Sequence, residues 1–196
     1  AQTLAELAAD SGDFSRAGHV DERARPIVGL VNRHPSFFTT SSCAGRVSLF
    51  ADPTTATRAA GMKGGEWVYV NHDPADADAI VAAVRRKRGE DEDGGEGMDP
   101  ECTLVLRFEP FILSVEASAL EEGARLVAAA RDAGYRESGI TASDKRFILA
   151  VRCSIRMEVP VVSCGERLVT DDALRRLVSI ANDKHAANSS RAERLM

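Results

Sequence analysis

The run Ser41-Ser42-Cys43-Ala44-Gly45-Arg46 is a dense polar knot in an otherwise apolar stretch. Small residues in a turn leave backbone N–H groups open, and the hydroxyls add donors. The Arg46 guanidinium adds a two-pronged fork, so the set suits a carboxylate or a phosphate. A plain hairpin turn accounts for the same residues. Cys43 is a nucleophile if Arg46 stabilises its thiolate, and otherwise a small buried hydrophobe. In Lys63-Gly64-Gly65-Glu66-Trp67 a flexible cationic turn precedes the sole tryptophan. Glycines admit a ligand close to the backbone, Lys63 brings charge, and an indole face stacks on a purine or attracts a sulfonium. The competing reading is a β-turn leading into a core tryptophan. His72, before Asp73-Pro74, can accept a proton near neutral pH or simply hydrogen-bond at a strand end. Glu109, in Arg107-Phe108-Glu109-Pro110-Phe111, sits at a rigid junction between apolar runs, either as a held, partly desolvated carboxylate or as a surface partner of Arg107. Tyr135-Arg136-Glu137-Ser138-Gly139 repeats the polar turn, and Arg136 and Arg152 suit phosphate as well as a surface ion pair.

The elements that must position these groups alternate. A helical stripe from Val20 to Arg33 stops at His34-Pro35, since the residue before proline leaves the α region. Phe37–Cys43, Arg46–Ala51 and Glu66–His72 read as strands, and a helix to about Arg88 is expected with Asp73 as N-cap and Pro74 at its first position. Further on, Thr103–Phe108 and Ile112–Ala117 are strands, Leu120–Ala133 is a helix closed by Gly134, and Ser138–Thr141, Arg146–Arg152 and Ile155–Val162 are strands. A helix from Thr170 to about Ala187 follows, with Asn182-Asp183-Lys184-His185 as its polar face and Arg191–Arg194 as a frayed end. Phe37 with Ser41 and Tyr135 with Ser138 follow their helices alike, which suggests an internal duplication. The expected fold is α+β in a single domain, 1–196, of two similar α/β halves, 13–88 and 102–194, packed about a central cleft. Ligands tend to bind in such clefts.

Composition narrows the function. The chain has 196 residues, 44% hydrophobic and 28% charged, an ordinary globular balance. No stretch has the length of apolar residues a membrane span needs, so no membrane partner is expected, and cysteines without a disulfide framework suit a reducing cytosol or nucleus, of which the cytoplasm is the expected location. Four cysteines without C-x-x-C spacing argue against a disulfide framework and a structural zinc, so no metal is expected. Starting at Ala1, the chain reads as a domain within a longer protein. Net charge is −5, yet residues 89–101 hold seven acids and no base, and the remainder carries 25 bases against 23 acids. That insertion is too polar and glycine-rich to pack, and is expected to be mobile and dispensable. The remainder can present a basic face to nucleic acid. Dinucleotide, P-loop, zincin and α/β-hydrolase motifs are absent, which argues against a Rossmann-like fold and against those chemistries.

In order along the chain, SSCAGR (41–46), KGGEWVYVNHD (63–73), RFEPFIL (107–113), GYRESGI (134–140), ILAVR (148–152) and MEVPV (157–161) resemble the tRNA wybutosine-synthesizing protein 3 family. SRAGHVDE (15–22) and AND-K (181–184) with Asn188 and Arg191 are similar to that family's ends, so the likeness runs from about Asp13 to Arg194. It implies a methyltransferase that uses S-adenosylmethionine to methylate N4 of the tricyclic wybutosine precursor at position 37 of phenylalanine tRNA, with other enzymes of that pathway as further partners. Carried over by position, its motifs fall on Ser42, Cys43, Gly45 and Arg46, on Gly64, Gly65, Trp67 and His72, on Phe108, Glu109 and Pro110, and on Arg136, Ser138 and Gly139. With Lys63 and Arg152 added from their own chemistry, Ser42, Cys43, Gly45, Arg46, Lys63, Gly64 and Trp67 are expected to bind the donor, His72 and Glu109 to be catalytic, and Arg136, Ser138 and Arg152 to meet the tRNA. Where the family has lysines this chain has Phe14 and Ala17, and it has Ala44 for a serine and Ser114 for a histidine. Loss of that histidine leaves His72 and Glu109 as the bases, or permits a catalytically silent module that holds modified tRNA for other enzymes. Binding of S-adenosylmethionine separates the two readings.

Overall fold

The computed structural model describes residues 20–53, 64–90, 102–143 and 146–196. Lys63, Phe14, Ala17 and nearly all of the acidic insertion lie outside them. The described elements run α1 (Arg25–Asn32), β1 (Phe37–Cys43), β2 (Arg46–Pro53), β3 (Glu66–Asn71), α2 (Ala77–Lys87), β4 (Cys102–Glu109), β5 (Ile112–Ala117), α3 (Leu120–Asp132), β6 (Gly139–Ala142), β7 (Phe147–Val151), β8 (Met157–Ser163), β9 (Glu166–Arg167) and α4 (Asp171–Leu195). They form a mixed α+β fold with a four-stranded sheet, β1-β5-β7-β6, and a five-stranded sheet, β3-β2-β4-β8-β9. Every strand pairing among them is antiparallel, so the parallel sheet of a Rossmann fold is excluded.

The chain divides into two compact units. The first takes the described residues up to Gly45, then Pro110–Ile155 and Ala187–Met196, and the second takes Arg46–Glu109 and Arg156–Ala186. These units do not follow the sequence halves 13–88 and 102–194. The reason lies in strand pairing: β1 bonds to β5 and β2 bonds to β4, so neither Ala44-Gly45 nor Pro110-Phe111 closes a hairpin. Phe37 and Tyr135, the aromatics behind the suggested duplication, both belong to the first unit.

In the first unit, α1 and α3 supply Ile27, Val31, Val127 and Ala130 to a core completed by Leu113, Val115, Leu149 and Val151. Alternation along β5 and β7 puts these residues on one sheet face. Helix α3 lies close on that face through Gly123, where a Cβ would meet Ile140 Cδ1 at 3.3 Å. Buried residues of the second unit include Val47, Leu49, Leu104, Leu106, Phe108, Ile80, Val84, Leu174 and Val178.

Two helix ends differ from the sequence reading. The N-cap of α2 is Asp76, whose Oδ1 accepts from the N–H groups of Asp78 and Ala79. Asp73 and Pro74 are not its start because Asn71 Oδ1 accepts from Asp73 N, while Asn182 bonds both N and O of Ala75. Helix α4 runs on to Leu195 because its apparent polar face is buried, with His185 and Asn188 each only 2% exposed.

At the start of α4, Asp171 accepts hydrogen bonds from Arg167 and Arg85. The bond from Arg167 is the largest cause holding its carboxyl below the ordinary value, burial opposes it next, and the bond from Arg85 adds to the lowering. A depressed carboxylate contributes stability above its unfolded pKa, about 3.9, and loses it as pH falls through the lower folded value. Asp171→Asn should therefore show a shallower fall of melting temperature than the parent on acidification below about pH 4. Parallel curves would show that the pair contributes nothing.

Candidate functional site

In the second unit, β2 and β4 pair Arg46 with Glu109 and Ser48 with Arg107, and β3 places Trp67 opposite Phe50. Arg46 Nε donates to Glu109 Oε2 at 2.6 Å. The Arg46 guanidinium carbon stands 4.3 Å over the Trp67 ring, and Trp67 in turn meets Phe50 at 4.6 Å between centroids. Arg107 closes the row at 4.6 Å over Phe50 while donating to Asp52 at 3.0 Å. The sheet face away from Val47, Leu49 and Ala51 thus carries a ladder of cation, indole, phenyl, cation. Cation–π stacking and the carboxylate fix the Arg46 plane, and its two Nη groups have no hydrogen bond among the described residues. Glu109 pairs with Arg46, not with Arg107.

The turn before Trp67 is shaped by its glycines. A Cβ on Gly65 would lie 2.3 Å from the Ala51 carbonyl oxygen, so only glycine lets β3 come this close to β2. At Gly64, φ is +81° and nothing among the described residues stands within 4 Å of the Cβ position.

His72 follows β3. Its carbonyl oxygen is 2.9 Å from His185 Nε2, and together with the Asn182 clamp on Ala75 this fixes the backbone on both sides of Asp73-Pro74.

In the first unit, Ser42 and Cys43 end β1, opposite Leu113 and Ile112 of β5. Gly45 has φ +96°, a value that favours glycine. The Ala44 peptide before it is held at both ends, its N–H donating to Asp21 Oδ2 at 2.8 Å and its oxygen accepting from Asn188 Nδ2 at 2.9 Å. Asn188 Oδ1 also accepts from Phe111 N at 2.7 Å. Register sets Ser41, Ser114, Ala150 and Gly139 side by side across all four strands, on the face opposite α1 and α3. One row away, Glu116 is gripped by both nitrogens of Arg146.

Arg136, Ser138 and Arg152 come together: Glu137 N donates to Arg152 O at 3.2 Å, and Arg152 N donates to Ser138 Oγ at 3.1 Å. Both arginines are exposed. Ser138 is only 2% exposed and its hydroxyl oxygen accepts from Arg152 N, so it orders the turn between the two arginines.

The structure thus brings Arg46, Gly64, Trp67 and Glu109 into one unit with His72, and sets Ser42, Cys43, Gly45, Arg136, Ser138 and Arg152 in the other. Sequence reasoning missed Asn188, Asp21, Asn182 and His185 as the groups that hold the site's turns. The available signal was an excess of Asn and His on one stretch of a helix, residue types that gain little from a helical interior unless they bond elsewhere.

The family model described as Methyltransferase TYW3 matches residues 1–196. The tRNA wybutosine-synthesizing protein 2/3/4 of Oryza sativa subsp. japonica is 47% identical over 97% of this chain and 18% of its own length. The tRNA wybutosine-synthesizing protein 3 homolog of Mus musculus is 38% identical over 93% of this chain and 66% of its own. The chain spans about a fifth of the length of the plant relatives. Of solved structures, the PH1069 protein from Pyrococcus horikoshii superimposes with a TM-score of 0.76 at 29% identity, covering 92% of this chain and 83% of that one. A hypothetical protein from Aeropyrum pernix gives 0.69 at 26% identity, covering 89% and 94%. With every sequence segment that carried the resemblance inside a full-length match, the chain belongs to the Methyltransferase TYW3 family.

Proposed function

We propose that this chain transfers a methyl group from S-adenosylmethionine to N4 of the wybutosine precursor at position 37 of phenylalanine tRNA, in the cytoplasm and without a metal. The observation that supports it best is the Arg46 guanidinium, fixed by Glu109 and Trp67 with neither Nη group hydrogen-bonded among the described residues. The donor supplies an electrophilic methyl on a sulfonium. Arg46 binds the donor's carboxylate through its Nη pair, Trp67 offers a π-face, and Gly64 admits the ligand to the backbone. Glu109 is a positioning residue for Arg46, and His72 takes the N4 proton as the new N–C bond forms. The donor contacts that geometry supports are those of Arg46, Gly64 and Trp67, which share the second unit, and Ser42, Cys43 and Gly45 stay donor residues by the family likeness.

The direct test is single-turnover transfer of labelled methyl to phenylalanine tRNA carrying the precursor, alongside tRNA lacking it. Donor binding without transfer would refute the proposed activity, and absence of donor binding would favour the silent RNA-holding module. Arg46→Ala should weaken donor binding by about 1.5–3 kcal/mol, the worth of a hydrogen bond to a charged group. Calorimetry giving unchanged affinity would remove Arg46 from the donor site.

A further inference from the structure

The described arginines differ in whether a carboxylate stands beside them. Arg46, Arg85, Arg107, Arg146, Arg167 and Arg175 each have a carboxylate partner. Of those with none among the described residues, Arg33, Arg86, Arg156 and Arg176 are scattered, whereas Arg131, Arg136, Arg152, Arg191 and Arg194 gather about one turn of the first unit. Arg131 closes α3 and spends Nε and Nη2 on the Ser138 carbonyl oxygen, at 3.2 and 2.9 Å. Gly134, at φ +102°, turns the chain out of α3. A Cβ there would meet Arg191 Nε at 3.3 Å and Arg194 Nη2 at 3.5 Å, so the last turns of α4 lie against the end of α3. Arg136 stands in the following turn, and the Arg152 backbone is bonded to Glu137 and Ser138. Arg191 also keeps a buried Nη1 without an acceptor.

Part of this charge serves the fold. The C-terminus of α3 carries partial negative charge, which Arg131, Arg191 and Arg194 offset. The Tyr135 phenol beneath them is pushed well above its ordinary pKa by burial first and by Cys153 next, with Arg191 and Arg194 pulling the other way. One helix end nevertheless needs far less than this much cation. Asp132, Glu137 and Glu193 lie on the same segments, yet none is ion-paired to these arginines among the described residues. Exposed, unpaired guanidinium groups from four elements give a broad surface suited to a chain of phosphates, where each contact releases condensed counterions.

We infer that this arginine surface, built from the end of α3, the turn at Arg136, the end of β7 and the last turns of α4, docks the phosphate backbone of the tRNA. The inference rests on the proposed tRNA substrate and adds where the RNA backbone is held. It gives the C-terminal turns of α4 a second task besides packing. These contacts carry no sequence information, so they position the tRNA while recognition of the modified base is left to other residues.

The test is binding of fluorescent phenylalanine tRNA by anisotropy across a series of KCl concentrations, with the parent, the Arg136→Ala/Arg152→Ala/Arg194→Ala triple variant, and Arg176→Ala. Arg191, half-buried against Gly134, is kept. The triple variant should lose at least about tenfold in affinity at low salt, and its slope of log K against log salt should fall by about 2–3, or 0.7–0.9 for each phosphate contact. Its melting temperature and its affinity for S-adenosylhomocysteine should match the parent. Arg176, an exposed arginine of the second unit, should change nothing. A parental salt slope in the triple variant, or an equal loss in Arg176→Ala, would overturn the inference and leave the proposed activity standing. A parent that binds no tRNA would overturn both.

Discussion

His72→Ala is expected to lower single-turnover methylation by about 10²–10⁴-fold, the usual worth of general-base assistance. Donor affinity should stay at the parental value, because the Arg46, Trp67 and Glu109 arrangement does not depend on the His72 ring. His72 is poised for this by its backbone: its carbonyl meets His185 Nε2, and the next turn is locked by Asn71 and Asn182. A rapid-quench rate should rise with pH through the pKa of the base in the parent and flatten in the variant. Glu109→Gln should behave differently. Losing the charge that steers Arg46, it should weaken donor binding as well as slow transfer. If His72→Ala methylates at the parental rate, the base role is wrong and the protein works by holding the N4 atom about 3–3.5 Å from the methyl.

Asn188→Ala should be the most destabilising single substitution among the residues that hold the site. One buried amide satisfies the Ala44 carbonyl oxygen and the Phe111 N–H, and its removal leaves both without that partner. At about 1–3 kcal/mol for each of the two buried groups left unmade, the expected loss is roughly 2–6 kcal/mol. That is a large share of the 5–15 kcal/mol, roughly, that holds an ordinary domain together. Equilibrium denaturation by urea would measure it. A loss under about 1 kcal/mol would mean that water replaces the amide. Asn188→Asp should not restore the parent, since a carboxylate keeps the acceptor for Phe111 but offers no donor to Ala44 and buries a charge.

Local patterning carried the reading of most elements. Alternation in Cys102–Glu109 and Ile112–Ala117, the 3.6-residue stripe through Ile27 and Val31, and Gly134 after α3 all follow from short-range rules that the structure obeys. Pairing was not legible. Ala44-Gly45 has the composition of a hairpin turn, and only partners tens of residues away, Leu113 for Ser42 and Glu109 for Arg46, decide that it is not one. At the site, Arg46, Trp67 and Glu109 could each be picked out as chemically able, but their assembly required the β2–β4 and β2–β3 registers. The buried roles of Asn188 and His185 were hidden for a similar reason. Polar residues on a helix read as a solvated face until the groups they bond are known, and those groups belong to turns between 77 and 144 residues earlier.

The interleaved path of the chain also dictates an order of assembly during synthesis. The four-stranded sheet cannot be completed until β7 has been made, and its unit still awaits Ala187–Met196. Strand β1 therefore leaves the ribosome with a bare edge and waits through the whole of the second unit's first segment before β5 exists to pair with it. Neither unit can be cut out as one continuous stretch of gene. Fragments ending before Asn188 should emerge unfinished and prone to aggregate, as exposed sheet edges are. Partners fused to this protein are best placed outside its two ends, never within 46–109.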